Sequence, residues 1–191
     1  MNATIEEAVR RFSAIGALDP RRTVWEGEVV PYSLAEAASL TDYIGRLTDA
    51  PSEALRLAAH CQHLRRFEYA RSAFPPGRDG YLAWRIDAAR RSAEEAAAIL
   101  TSLAVPSEVT EQVKRIVTKQ DRRHDTDVQL MQDALSLTFL RLDAESFFAK
   151  HSEEEVERIV KRTLLKTSAP AQALASTEPY PPSVRKWLLG P

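Results

Sequence analysis

Apolar residues recur along the chain with a helical period. Ile5, Ala8, Val9, Phe12 and Ile15 share one side of a helix over about 4–17, the i, i+3, i+4, i+7 spacing of an amphipathic helix. Residues 18–32 break the pattern with Asp19-Pro20, Gly27 and Pro31, and read as an irregular connection anchored by Trp25 and Val29-Val30. Ser33-Leu34-Ala35-Glu36 has the form of a capping box, which predicts a helix to about Leu47. Pro51-Ser52-Glu53 opens the next helix, with Leu55, Leu57, Ala58, Ala59 and Leu64 as its apolar positions. That helix must end near Phe67 to Ala73, because Pro75 and Pro76 cannot continue it.

After a loop at 68–78, a long helix is expected over about 80–103, carrying Tyr81, Leu82, Trp84, Ile86, Ala89, Ala96, Ile99, Leu100 and Leu103. Pro106-Ser107 stops it and opens another, with Val109, Val113, Ile116 and Val117 as its stripe. A polar loop at 118–127 precedes a second capping box, Thr126-Asp127-Val128-Gln129. The helix behind it, about 127–148, is apolar on most of its circumference, which places it in the middle of a bundle. Ser152-Glu153-Glu154-Glu155 caps a further helix to about Lys166. Residues 168–182 are rich in Ala, Ser and Pro and read as a loosely packed excursion, with Trp187 and its leucines docking the end back. No stretch alternates as a strand would, and no internal repeat is evident. The pattern predicts an all-α, single-domain bundle of about seven helices at 1–168. A C-terminal extension at 169–191 is expected to pack partly on it.

Composition narrows the class further. At 191 residues the chain can bury a core without disulfides, and it holds one cysteine. Six glycines are few beside the abundant alanine, leucine, glutamate and arginine, a balance that favours helix. The 26 basic and 27 acidic side chains nearly cancel, so no nucleic acid partner is expected. No apolar run approaches the roughly 18–20 residues that span a bilayer, and the N-terminus lacks the order of a signal peptide. The expectation is a soluble, cytoplasmic protein with no membrane association.

Candidate chemistry gathers at residues 58–85. His60 and His63 stand three apart near a helix end, so both imidazoles could face one spot. Asp133 interrupts the apolar run of the 127–148 helix, and a buried carboxylate needs a cation, a metal or hydrogen-bond donors. Its expected partners are His63, His60 or an arginine from 65–85. Together the three residues suggest a site for a divalent metal spread over two helices; zinc, iron and manganese suit such ligands. The alternative is that both histidines are partly exposed at a helix end. Arg65, Arg66, Arg71, Arg78 and Arg85 crowd the same stretch, and guanidinium groups bind phosphate and carboxylate in bidentate fashion. The alternative there is a salt-bridged surface. His124 and His151 read as solvated, and Cys61 as a small buried hydrophobe. No phosphate loop, Gly-x-Ser-x-Gly elbow or Cys-x-x-Cys motif is present.

Several longer stretches resemble one family. They are AVRRFSAIGALDPRRTVWEGEVVPYSLAEAASLTDYIGRL, SEALRLAAHCQHLRRFEYARSAFPPGRDGYLAWR, DTDVQLMQDALSLTFL, AKH at 149–151 and KRTLLKTS at 161–168. From about residue 8 to 168 the chain resembles the domain of unknown function family 4202. That family looks like a divergent relative of the HD-domain metal-dependent phosphohydrolases. The resemblance implies an HD-like helical bundle in which Gln62-His63 falls at the His-Asp doublet and Asp133 at the final aspartate. Two positions depart: Ser92 stands where the family usually has a histidine, and Gln132 replaces the acidic residue before Asp133.

Two functions follow as expectations. One is a metal-dependent hydrolase of a small phosphorylated or otherwise anionic compound. In it His63, Asp133 and His60 would hold a divalent metal, with Arg65, Arg71, Arg78 and Arg85 on the anion. The other is a non-catalytic binding or scaffold protein with a degenerate metal site.

Overall fold

The fold is built around α6, Thr126–Leu142, whose Val128, Met131, Ala134, Leu137 and Leu140 are all buried. The structure, a computed structural model, describes residues 3–189, with the Leu189 side chain excepted. The outer ends of the two expected domains, 1–2 and 190–191, lie outside the described residues. Around α6 stand α1 (Ala3–Gly16), α2 (Tyr32–Leu47), α3 (Glu53–Cys61), α4 (Gly77–Ser102) and α5 (Ser107–Thr118). Then come α7 (Ala144–Phe148), α8 (Glu153–Leu164), α9 (Ala169–Thr177) and α10 (Pro182–Leu189). All ten of these helices contribute residues to one core, from Ile5 and Phe12 of α1 to Val184 of α10. α6 packs on α2, α3, α5, α7 and α9. No described helix is long and apolar enough to cross a membrane.

The mostly helical, one-core architecture matches the apolar periodicity, but the described residues form ten helices where about seven were expected. One extra arises because the 127–148 helix breaks at Asp143, which starts the five-residue α7. Of the other two, α9 lies in the segment read as a loose excursion, and α10 in the stretch whose Trp187 was expected to dock the end back. Ser168 accepts a hydrogen bond from Ala171 N–H and starts α9 with Pro170 in its first turn. Ala171, Ala175, Tyr180 and Val184 are buried in the common core. Polar bonds hold this end as well. Glu178 accepts from Tyr43 OH at 3.0 Å and from Arg46 Nη2 at 2.5 Å, and the Tyr180 hydroxyl lies 3.4 Å from that of Tyr43.

Residues 18–32 also differ from expectation. They form an antiparallel hairpin, β1 (Arg22–Trp25) and β2 (Glu28–Pro31). Glu26 and Gly27 make its turn, both at positive φ, the geometry that a two-residue hairpin loop needs. Of the expected anchors Trp25 and Val30 are half-buried but Val29 is exposed, as is Val24, so no apolar alternation marks the strands in sequence. Trp25 is covered by Arg141, whose guanidinium carbon lies 4.3 Å from the ring centre. The hairpin starts from Asp19, a fully buried carboxylate that accepts from Arg21 N–H, the Arg21 guanidinium and Ser33 Oγ.

That last bond changes a capping expectation. Ser33 lies inside α2, which starts at Tyr32, and its hydroxyl is used by Asp19. The Glu36 side chain is therefore free to point elsewhere. At α6 the cap is Asp125, accepting from Asp127 and Val128 N–H, rather than Thr126. The third box holds: Ser152 and Glu155 bond reciprocally at the start of α8. α4 begins where the Pro75-Pro76 turn folds back on it. A Cβ at Gly80 would lie 1.9 Å from the Pro75 carbonyl oxygen, so only glycine fits there.

Candidate functional site

The ends of α2, α3, α4 and α5 bring polar groups together beside α6. Glu36 is on the inward side of α2, four residues before Leu40 and seven before Tyr43, both buried. His63 follows the end of α3. Its Nδ1 lies 2.8 Å from Glu36 Oε1, and both side chains are largely covered, at 19% and 13% exposure. Burial raises the Glu36 carboxyl, but His63, Arg66 and Arg21 outweigh it and hold it below the usual carboxylate range. Burial pushes the His63 imidazole below its ordinary value; Glu36 pulls the other way, and Arg66 and Lys119 add to the depression. An ionised Glu36 can only accept, so the neutral imidazole donates from Nδ1. Its Nε2 then carries the free lone pair. A carboxylate that orients an imidazole in this way equips it as a general base.

Cations flank this pair without matching carboxylates. Arg66 follows directly after the Arg65 turn, which is left-handed at φ 51°. Its guanidinium carbon lies 4.5 Å from the centre of the Trp84 ring, a cation–π contact. Burial lowers the Arg66 pKa, and nearby Arg85 adds to that. Lys119 caps the end of α5 in the left-handed conformation. Its ammonium donates to Gln132 Oε1 at 3.3 Å. Burial, then Arg85, Arg66 and Lys166, pull the Lys119 pKa down to about 7, and Glu36 only partly opposes them. Among the described residues neither Arg66, Arg85 nor Lys119 has an ion pair with a carboxylate. Tyr32 OH donates to Asp143 Oδ2 at 2.7 Å nearby. Burial holds that carboxyl above its usual range, and Glu36 reinforces this against the hydrogen bond.

The residues expected from sequence are distributed differently. His63 is in the cluster. His60 is partly buried, and burial lowers its pKa. It joins His63, Glu36, Gln62 and Ser13 around a cavity of about 20 Å³, room for a water molecule. Gln62 donates to Val117 O at 3.0 Å, tying α3 to α5, while its Oε1 is buried without a protein partner. Asp133 is 1% exposed, as expected of a buried carboxylate. Its partners, however, are neutral donors: Gln129 Nε2 and Ser168 N–H, each at 2.8 Å on Oδ1. Neither His63, His60 nor an arginine from 65–85 bonds it. Helix geometry explains this, since Gln129 stands one turn earlier on the same face.

Among the expected anion-binding arginines, Arg65 is committed to Glu95 and Glu68 at 2.6 and 2.8 Å. Arg71 donates to the carbonyls of Phe74 and Gly77, bracing the loop before α4. Arg78 is exposed. Only Arg85 lies with Arg66 and Lys119. Ser92 donates to Leu64 O at 2.9 Å, a buried bond that joins α4 to the turn after α3. Cys61 is fully buried, and burial raises its thiol pKa, which leaves it inert.

Among the described residues no three His, Cys, Asp or Glu side chains are grouped to hold a metal ion.

Glu36 and Lys119 are not singled out by motif. Each nonetheless carries a signal: Glu36 shares the apolar face of its helix, and Lys119 stands three residues past buried Ile116. A charged residue on a buried stripe marks a site more sharply than local arginine density does.

The chain matches the family model described as Domain of unknown function (DUF4202) over residues 6–188, and it belongs to that family. The match extends through α9 and into α10. No curated protein and no solved structure matches it.

Proposed function

We propose that the chain binds a small phosphorylated or otherwise anionic compound between Arg66, Arg85 and Lys119, and hydrolyses it with His63 as the base. One observation carries this reading: three partly buried cations, none in an ion pair among the described residues, gather beside Glu36, which His63 already engages, and Asp143, whose carboxyl burial holds above its usual range. Unbalanced buried charge of one sign costs stability unless a ligand neutralises it. In hydrolysis of a phosphate ester, His63 Nε2 takes one proton from water as the hydroxide oxygen bonds to phosphorus. The bond from phosphorus to the leaving oxygen breaks, and the same proton returns to that oxygen. Arg66, Arg85 and Lys119 take up the charge that develops on the phosphoryl oxygens.

The kinship with HD-domain phosphohydrolases belongs to this proposal. The helical architecture and the position of His63 support it. A metal-dependent form of the reaction needs ligands beyond His60, His63 and Asp133, because those three are not grouped around one point. A second reading is binding without turnover. Ser92 and Gln132 favour it, since one is spent on Leu64 O and the other on Lys119.

Calorimetry with inorganic phosphate, and a screen of phosphate monoesters and anhydrides with and without divalent ions, separate the readings. Turnover that is lost in His63→Gln while phosphate binding persists supports the hydrolase. Binding with no turnover under any added ion supports the second reading. Failure to bind any of these anions overturns both.

A further inference from the structure

The inward face of α4 is covered along only part of its length. In the C-terminal half that face is Ser92, Ala93, Ala96 and Leu100, all buried. Steps of three and four residues carry the same face back to Ala89, then to Arg85, then to Leu82 and Tyr81. There the cover ends: Arg85 is half-buried, and Tyr81 and Leu82 are 43% and 42% exposed. Two rings and two guanidinium groups are interleaved at this open end. The guanidinium carbon of Arg66 lies 4.5 Å from the centre of the Trp84 ring. The Trp84 ring centre is 5.9 Å from that of Tyr81, which in turn is 5.7 Å from the guanidinium carbon of Arg85. Trp84 is tied to the fold, since its indole N–H donates to Tyr69 O at 2.8 Å. The Tyr81 hydroxyl has no hydrogen bond among the described residues. A lone exposed tyrosine is ordinary. This one adjoins an exposed leucine, touches one cation of the proposed anion site directly, and reaches a second through Trp84.

We infer that the anionic compound carries a flat aromatic ring, which packs on Tyr81 and Leu82, and that Tyr81 is the residue that selects it. The inference rests on the anion-binding reading above and names the rest of that ligand. Arg85 already lies against the Tyr81 ring, so a phosphoryl group held by that guanidinium carries its ester substituent onto the same ring. An aromatic substituent gains there twice. It removes apolar surface of Tyr81 and Leu82 from water, and its ring pairs offset or edge-on with the tyrosine ring. A polar substituent such as glycerol keeps its hydroxyls in water and gains neither.

The test is calorimetric titration of the full chain with phenyl phosphate, glycerol 2-phosphate and inorganic phosphate. The wild type should bind phenyl phosphate about tenfold more tightly than glycerol 2-phosphate. Tyr81→Ala should erase that preference by weakening phenyl phosphate alone, and its unchanged affinity for the other two shows that the fold and the anion site survive. Tyr81→Phe, which keeps the ring, should keep the preference. Arg85→Met should weaken all three ligands together. A wild type that binds the two esters equally would overturn the inference and leave the proposed function standing. So would a preference that persists in Tyr81→Ala, or an equal loss of all three ligands in that variant, which would make the ring a support for Arg85 only. No binding of any of the three by the wild-type chain would overturn both.

Discussion

Two polar clusters are buried in this bundle, and they differ in how their charges balance. At the C-terminal end Glu178 pairs with Arg46 and accepts from Tyr43, whose hydroxyl lies beside that of Tyr180, while Asp42 pairs with Arg46 and Arg141, so anions and cations match. Around α5 and α6, Arg66, Arg85 and Lys119 lie beside Glu36, which is bonded to His63, and Asp143, which is bonded to Tyr32, with no ion pair to either among the described residues. The first arrangement is what a chain needs to fasten a terminal segment: the polar atoms find partners within the fold. The second spends stability on charges that the fold itself does not neutralise. Sites with a function are the usual place for such a cost. On the proposed reading, the difference separates a latch from an anion site without reference to motif.

The largest expected effect tests the latch. Glu178→Ala should destabilise the protein by about 3 kcal/mol in urea unfolding. That lies at the lower end for breaking a buried pair, because Arg46 is over a third exposed and recovers water. A loss under about 0.5 kcal/mol, the range of ordinary surface substitutions, would break the comparison at this end.

At the other cluster the sign should reverse. Lys119→Met removes a partly buried charge that has no ion pair among the described residues, so at pH 6 the ligand-free protein should gain roughly 1 kcal/mol. Phosphate binding should fall in the same variant. A destabilised Lys119→Met would mean that the cation is neutralised within the fold, and the comparison would collapse.

The same charge sets a pH dependence. Lys119 has an ordinary pKa of 10.5 and a folded value of about 7. Between these values the unfolded chain holds the proton more tightly, so stability of the ligand-free protein rises with pH. The slope from this group approaches about 1.4 kcal/mol per pH unit. Below about 7 both states are protonated and the penalty is complete; above about 10.5 it is gone. The groups around Lys119 are Arg66, Arg85, Lys166, Glu36, His63 and Gln132. Arg66 stays cationic and Glu36 anionic through this window; burial depresses Lys166 as well, so it adds to the slope toward the upper end and Lys119 dominates the lower part. Urea midpoints from pH 6 to 9 should rise in the wild type and flatten in Lys119→Met. Saturating phosphate should reduce the slope, since it favours the protonated amine.

The smallest effect sharpens the contrast by touching neither cluster. Ser152→Ala removes the reciprocal cap of α8 and should cost about 1 kcal/mol, independent of phosphate. A phosphate-dependent cost would show that α8, whose end leads to Lys166, is coupled to the site.

Much of the bundle was legible in the amino-acid sequence alone. The stripes of α1, α3 and α5, the buried character of α6 and the Ser152 cap follow from spacing, because a helix face is a local property of 3.6-residue periodicity. The burial of Asp133 was legible for the same reason. The hairpin at 22–31 was not, since its valines face outward and only the positive φ of Glu26 and Gly27 defines it. α9 and α10 were also hidden: their apolar stripes are short, and their order comes from the latch at Glu178 and from packing on distant helices.

At the site, sequence singled out His63 and the arginine-rich stretch around it. Only tertiary structure decided that Arg65 belongs to Glu95, that Glu36 leaves a capping role for His63, and that Lys119 sits with Arg66 and Arg85. Spacing along one helix fixes which residues share its face. Which face meets which across the bundle depends on contacts between residues dozens of positions apart, and the balance of charge at a site is set by those contacts.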